Sequence, residues 1–249
     1  LSQYYNLLLS WFVSNEEIGN YSIAMNLLTP LALLCSSLST AIFSAFSKSL
    51  NHDKADTALN RTTLYSAGII APISRGLIVF SHPITQIIYG ERYALAPQYL
   101  ALLALSGLYS VLGSCVIDSY SQSVGATRRT LQISLVGTAV AAPLALPMVM
   151  HLGIAGSIAS SLTGSLVAAL YALHILKTDY SMHVDVVQAA RALAPPLIAA
   201  ALSSLAMLPL NNLWLKTAVG ATAYLLTLAL TMPVVFDVRD IRNLKALTS

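Results

Sequence analysis

Charge is what this 249-residue chain has least of: 13 Lys or Arg and 10 Asp or Glu, or 9% of its residues, against about one-quarter in a soluble domain. With 56% of residues hydrophobic and a mean hydropathy of +0.71, too few polar side chains exist to cover a water-soluble particle of this size. Aqueous enzymes, nucleic-acid binders and disulfide-stapled secreted domains are thereby excluded. Cysteine is scarce too. Cys35 and Cys115 both lie in apolar stretches, which reads as two small buried hydrophobes rather than a bridge or a metal site. The chain has no G-x-G-x-x-G, Walker loop, H-E-x-x-H or G-x-S-x-G signature. No catalytic residue, metal or cofactor is predicted, and any transport lacks a built-in ATP engine. The opening, Leu1 to Phe12, shows neither a basic n-region nor a small-residue cleavage site. It reads as the remnant of a membrane helix whose beginning is missing.

What is present is apolar length. A span needs about 20 mostly apolar residues, and seven segments qualify: 21–47, 62–81, 96–120, 130–150, 154–176, 187–208 and 213–236. With the opening segment they predict an all-α polytopic bundle of about eight membrane helices, the first incomplete, because lipid leaves every backbone group to be satisfied within its own segment. Pro30, Pro72, Pro143, Pro147 and Pro195 are tolerable in such helices. Residues 1–176 are expected to form one six-helix bundle, 187–236 an additional helix pair and 237–249 a cytoplasmic tail. If the first segment leaves the cytoplasm, alternate connections place Lys48, Lys54, Arg61, Arg128, Arg129, Lys177, Arg191, Arg239, Arg242 and Lys245 inside. Only Arg92 and Lys216 then lie outside, with Arg75 within a span. Such a bias fixes orientation by the positive-inside rule.

Polar residues inside the spans are the candidate site. Asn26, Thr29, Ser36, Thr40, Ser44 and Ser47 return to nearly one face of the second segment. They predict either a face on a polar cavity or an interhelical seam of small hydroxyl residues. Ser106, Ser110, Ser114 and Asp118 are spaced i, i+4, so a continuous helix stacks them on one face. Asp118, the one acid within an apolar stretch, predicts either a cavity or gating role or a structural pair near Arg128 or Arg129. Arg75 predicts either a cavity cation for an anionic, phosphate-bearing lipid substrate or a snorkelling side chain. The row Gly156, Ser160, Gly164, Ala168 and Ala172 is a small-xxx-small helix-packing signature. Tyr65, Tyr89, Tyr93, Tyr99 and Trp214 fall near predicted interfaces as aromatic anchors. His151 and His174 lack partners at ligand spacing. Asn20-Tyr21-Ser22 and Asn60-Arg61-Thr62 match the N-glycosylation pattern, the second on the predicted inner side.

Three stretches carry a resemblance. They are SQYYNLLLSWFVSNEEIGNYSIAMNLLTPLALLCSSLSTAIFSAFSK, then PITQIIYGERYALAPQYLALLALSGLYS, and GATRRTLQISLVGTAVAAPLALPMVMHLGIAGSIASSLTG. In order and spacing they resemble the C-terminal half of a Wzx-type polysaccharide flippase, of the multidrug/oligosaccharidyl-lipid/polysaccharide exporter superfamily. In the first, a turn at Gly19-Asn20-Tyr21-Ser22 leads into a serine-rich helix. In the second, Tyr89-Gly90, Tyr93 and Ala96 follow the family's pattern. In the third, a basic turn and a proline-bearing helix precede Gly153-Ile154-Ala155-Gly156. The resemblance implies the second bundle plus the extra C-terminal pair, in the cell membrane. It also implies lipid-linked oligosaccharides as substrates, moved by alternating access, with Arg75 as the residue facing the pyrophosphate. The partners implied are the bilayer, an anionic lipid-linked glycan and a missing N-terminal six-helix lobe, without which this chain is not expected to transport. A multidrug or cation exporter of the same superfamily, or a non-transporting membrane scaffold, are the competing readings.

Overall fold

The computed structural model describes residues 2–48, 55–180, 184–209 and 212–235. The expectations for Lys54, for the side chain of Cys115 and for the 237–249 tail with Arg239, Arg242 and Lys245 fall outside these described residues. All regular structure among them is helical: α1 (Ser2–Phe12), α2 (Asn15–Lys48), α3 (Ala55–Val79), α4 (Ser81–Tyr89), α5 (Ala96–Ala104), a 3-10 segment (Leu105–Leu112), α6 (Ser114–Ser123), α7 (Thr127–Asp179), α8 (Val186–Arg191), α9 (Ala194–Met207) and α10 (Leu213–Val235). The chain is a multi-pass membrane protein.

The span count differs from the sequence expectation of about eight. Five stretches are long and apolar enough to cross a membrane: Asn15–Ser47, Thr57–Val79, Thr127–Asp179, Val186–Met207 and Leu213–Pro233. A sixth arises if Ala96–Leu112 and Val116–Ser123, bent by 53°, count as one. Three physical causes account for the difference. α1 has 11 residues, about 16 Å at 1.5 Å per residue, against a hydrocarbon core of about 30 Å. The 96–120 segment is interrupted by Gly113, whose φ of 71° ends the 3-10 turn. The segments 130–150 and 154–176 are two helical arms joined directly at Gly153 (φ 57°, ψ −130°) with no loop between them, and so form one continuous stretch, Thr127–Asp179.

Gly153 folds α7 into two antiparallel arms. That backbone region is closed to side-chain-bearing residues. The arms meet closely: a Cβ on Gly164 would lie 2.6 Å from the Ala141 Cβ and 2.7 Å from the Gly137 carbonyl oxygen, and one on Gly137 would lie 2.9 Å from the Ala168 Cβ. Gly156 faces the Met148 carbonyl in the same seam. At the open end, Arg129 and Asp179 form an ion pair of 2.5 Å, so the basic ends of both arms lie together.

Helix α2 starts earlier than the sequence suggests. Ser14 accepts a hydrogen bond from the Glu17 amide (3.3 Å), and Glu16 and Glu17 occupy the first turn, where carboxylates favour the exposed amides and the dipole. The expected turn at Gly19–Ser22 is therefore helical. Asn20, 2% exposed, accepts from the amides of Leu95 (3.1 Å) and Ala96 (3.0 Å). Its side chain thus caps α5 and cannot serve as a glycan acceptor. Pro195 sits in the first turn of α9, where its missing N–H costs nothing, rather than inside a helix. Tyr99 is buried at 7% in the core and is not an interfacial anchor, and Cys35 is half-buried.

Two apolar clusters hold the ends of the bundle. Leu9, Ala24, Tyr99, Leu100, Val149, Ile154 and Ile158 join α1, α2, α5 and the fold of α7 at one end. Ile42, Leu59, Val116, Ile117, Tyr120, Ile133, Ile175 and Leu176 join α2, α3, α6 and the termini of α7 at the other. Helices α9 and α10 pair and dock on α3 through Phe80, Ala199, Met207 and Tyr224. A Cβ on Gly220 would overlap the Met207 side chain.

Candidate functional site

A cavity of about 680 Å³ opens between α1, α2, the end of α5 and the second arm of α7. Its polar wall comprises Asn6, Ser10, Ser22, Asn26, Ser157, Ser161 and Ser165, with Tyr5 and Tyr21 beside them. The local reason is rotational. Successive helix residues turn by about 100°, so Ser157, Ser161 and Ser165 stand one position round from Gly156, Ser160 and Gly164. The glycine-bearing row meets the first arm, and the serine row is left to face the cavity. Ser160 also reaches the Tyr5 hydroxyl (3.0 Å), and the Tyr4 hydroxyl donates to the Ala142 carbonyl (3.1 Å). These two contacts hold α1 against both arms of α7.

A second cavity, of about 290 Å³, is lined by Ser106, Tyr109, Ser114, Asp118 and Ser165 over an apolar floor that includes Ile133 and Ala172. Ser165 belongs to both cavities, so the two polar surfaces share a wall. Asp118 forms no ion pair or hydrogen bond among the described residues. Arg129, expected near it, instead pairs with Asp179 and donates to Gln132 (2.9 Å).

The expected stack of Ser106, Ser110, Ser114 and Asp118 is broken. A 3-10 helix advances three residues per turn, and Gly113 then reverses the local backbone. Ser110 is buried and turns into a 110 Å³ crevice against Leu31, Cys35 and Ile70, whereas Asp118 faces the second cavity. Ser106 and Ser114 border both. On α2, Asn26 lines the large cavity, but Thr29, Ser36, Thr40 and Ser44 line neither polar cavity. They are exposed, and their hydroxyls donate back to the carbonyls of Met25, Leu33, Ser36 and Ala41 at 2.9–3.1 Å, which satisfies them within their own helix. Arg75 lines neither cavity. It sits on the α3 face that receives α10, within electrostatic reach of Tyr224.

The residues missed by sequence reasoning are Asn6, Ser10, Ser22, Ser157, Ser161 and Ser165. The i, i+4 spacing of the last three was a visible signal, overshadowed by the small-residue row beside it. The combined surface offers hydroxyl and amide hydrogen-bonding groups, one carboxylate and no cation among its lining residues. Among the described residues no cluster of three His, Cys, Asp or Glu could hold a metal ion. What the surface offers is hydrogen bonding from hydroxyl and amide groups.

Comparison with known proteins agrees with that membrane architecture. The family described as "Polysaccharide biosynthesis protein" matches residues 1–98. The solved structure of a lipid II flippase, MurJ, in an inward closed conformation, superposes with a TM-score of 0.73 at 17% identity. The match covers 92% of this chain and 50% of that one, so this chain spans half the length of the flippase it resembles. No curated protein matches in sequence. The fold is that of a flippase lobe.

Proposed function

We propose that this chain is one lobe of a flippase that moves lipid-linked oligosaccharide or polysaccharide precursors across the cell membrane by alternating access. The observation that carries the reading is the 680 Å³ hydroxyl- and amide-lined cavity among apolar helices. Sugar hydroxyls exchange their water hydrogen bonds for such groups without the cost of burying a fixed charge. Asn26, with the serines of α7, contacts the glycan. Ser106, Ser114 and Asp118 line its continuation. The exposed face of α2 bearing Ser36, Thr40 and Ser44 turns towards a second, N-terminal lobe, because alternating access needs two lobes that move against each other. The match of this chain to half of a flippase fold supports that arrangement.

The test is leaflet translocation of a fluorescent lipid-linked glycan in vesicles containing this chain with and without an N-terminal lobe. Translocation requires both. Transport by the 249-residue chain alone would sink the two-lobe mechanism, and no transport by the pair would sink the substrate class. One observation favours a cation exporter as a second reading: Asp118 faces a cavity without an ionic partner among the described residues. That reading prevails if Asp118→Asn abolishes efflux of an organic cation and glycan translocation is never seen.

A further inference from the structure

Arg75 lies one turn before the end of α3 at Val79, outside both polar cavities. Its Nε is buried with no hydrogen-bond partner, although the residue as a whole is half-buried. The surrounding helices fix its position. Tyr224 of α10 packs beside Gly76, where a Cβ would stand at ordinary contact, 3.6 Å from the Tyr224 ring, and the Tyr224 hydroxyl donates to the Pro72 carbonyl (2.7 Å). That tyrosine oxygen is thus already committed beside the guanidinium. The elements packed around Arg75 supply no anion. Among the described residues α9 carries no Lys, Arg, His, Asp or Glu, α10 of these only Lys216 and α4 only His82, besides the tyrosines Tyr224 and Tyr89. Glu91, beyond α4, accepts a hydrogen bond from Gln86.

An arginine about 6 Å below the end of a span, at 1.5 Å per residue, is at the depth from which it reaches the phosphate layer. The helices beside it present exposed Ile69, Leu205 and Leu225, which suit acyl chains rather than a watery vestibule. From this we infer that Arg75 is a binding site for the phosphate of an anionic phospholipid, seated where Tyr224 of α10 meets α3. The guanidinium supplies paired donors to phosphate oxygens, and the acyl chains cover the apolar flanks. The site is separate from the glycan path and stands whether or not the chain transports a glycolipid.

Native mass spectrometry of the full chain, extracted from vesicles of phosphatidylglycerol mixed with phosphatidylcholine, reads the retained lipid directly. Phosphatidylglycerol is enriched on the wild type, and Arg75→Gln lowers the enrichment by about tenfold, the scale of one lost charge-assisted contact. Arg75→Lys restores part of it, and Lys216→Gln, which removes another cation of that end, leaves it unchanged. Thermal unfolding in zwitterionic detergent separates lipid loss from misfolding, since a folded Arg75→Gln chain keeps its midpoint there. Equal enrichment on wild type and Arg75→Gln overturns the site. So does displacement of the lipid by millimolar inorganic pyrophosphate, which assigns the arginine to a soluble anion instead.

Discussion

Asn20 shows what a single residue decides in this bundle. It lies in the first turns of α2, yet its side-chain oxygen receives two backbone amides of the α4–α5 connection, and its amide donates to the Glu16 carbonyl (3.0 Å). The asparagine itself is buried. Replacing Asn20 with Ala strands the half-buried Leu95 amide and leaves the buried Ala96 amide only its long bond to the Tyr93 carbonyl (3.3 Å), where an unsatisfied donor costs about 1–3 kcal/mol. Asn20→Ala is therefore expected to lower the thermal unfolding midpoint in detergent well beyond that of Ser22→Ala, whose hydroxyl only donates back to Ile18 (2.9 Å) at an exposed position. Equal midpoints for the two variants would refute the cap. The glycosylation pattern at Asn20 was readable, but its meaning was not, because burial of an asparagine depends on a partner 75 residues away.

At the scale of elements, α7 is decided by Gly153. Its φ of 57° with ψ of −130° places it where only glycine rests without strain, and a side chain there costs about 1–3 kcal/mol. The fold-back also depends on Gly137, Gly156 and Gly164, which let the arms approach until a Cβ would overlap the opposite backbone. In a cysteine-free background, a short bifunctional reagent is expected to join Arg129→Cys to Asp179→Cys, at the site of the native ion pair. Adding Gly153→Val should reduce the cross-linked fraction. An undiminished yield would mean that the seam alone sets the hairpin. The small-residue row was legible as i, i+4 spacing. Its partner arm was not, since periodicity names a face without naming what covers it.

For the whole molecule, the grouping of helix ends gives the charge pattern a spatial meaning. Arg128, Arg129 and Lys177 gather at the end closed by Ile117, Ile133 and Leu176. Arg92 follows α4 at the opposite end, near the Asn20 cap of α5. By the positive-inside rule the first end is expected to face the cytoplasm. Single cysteines at 128 and 177 in sealed, right-side-out cells are then expected to resist a membrane-impermeant maleimide that labels a cysteine at 92. Labelling of 128 and 177 with protection of 92 would invert the orientation, while labelling that divides 128 from 177 would break the α7 hairpin.

The sequence by itself determined that this is an all-helical membrane protein, because 9% charge and long apolar runs leave no other way to satisfy a backbone in lipid. A bias of basic residues that predicts an orientation, and a small-residue seam, were legible there too, both of which are local counts. Only the tertiary structure decided how many spans there are, since a glycine at positive φ and a 3-10 turn change an element's course without changing its hydropathy. It likewise decided which polar stripe meets a cavity. Asn26, Ser114 and Asp118 do, together with the overlooked serines of α7. Thr40 and Ser44, equally periodic, bond to their own helix, and Arg75 faces α10. A helical stripe specifies a direction in one helix's frame, and only the packing of its neighbours turns that direction into an inside.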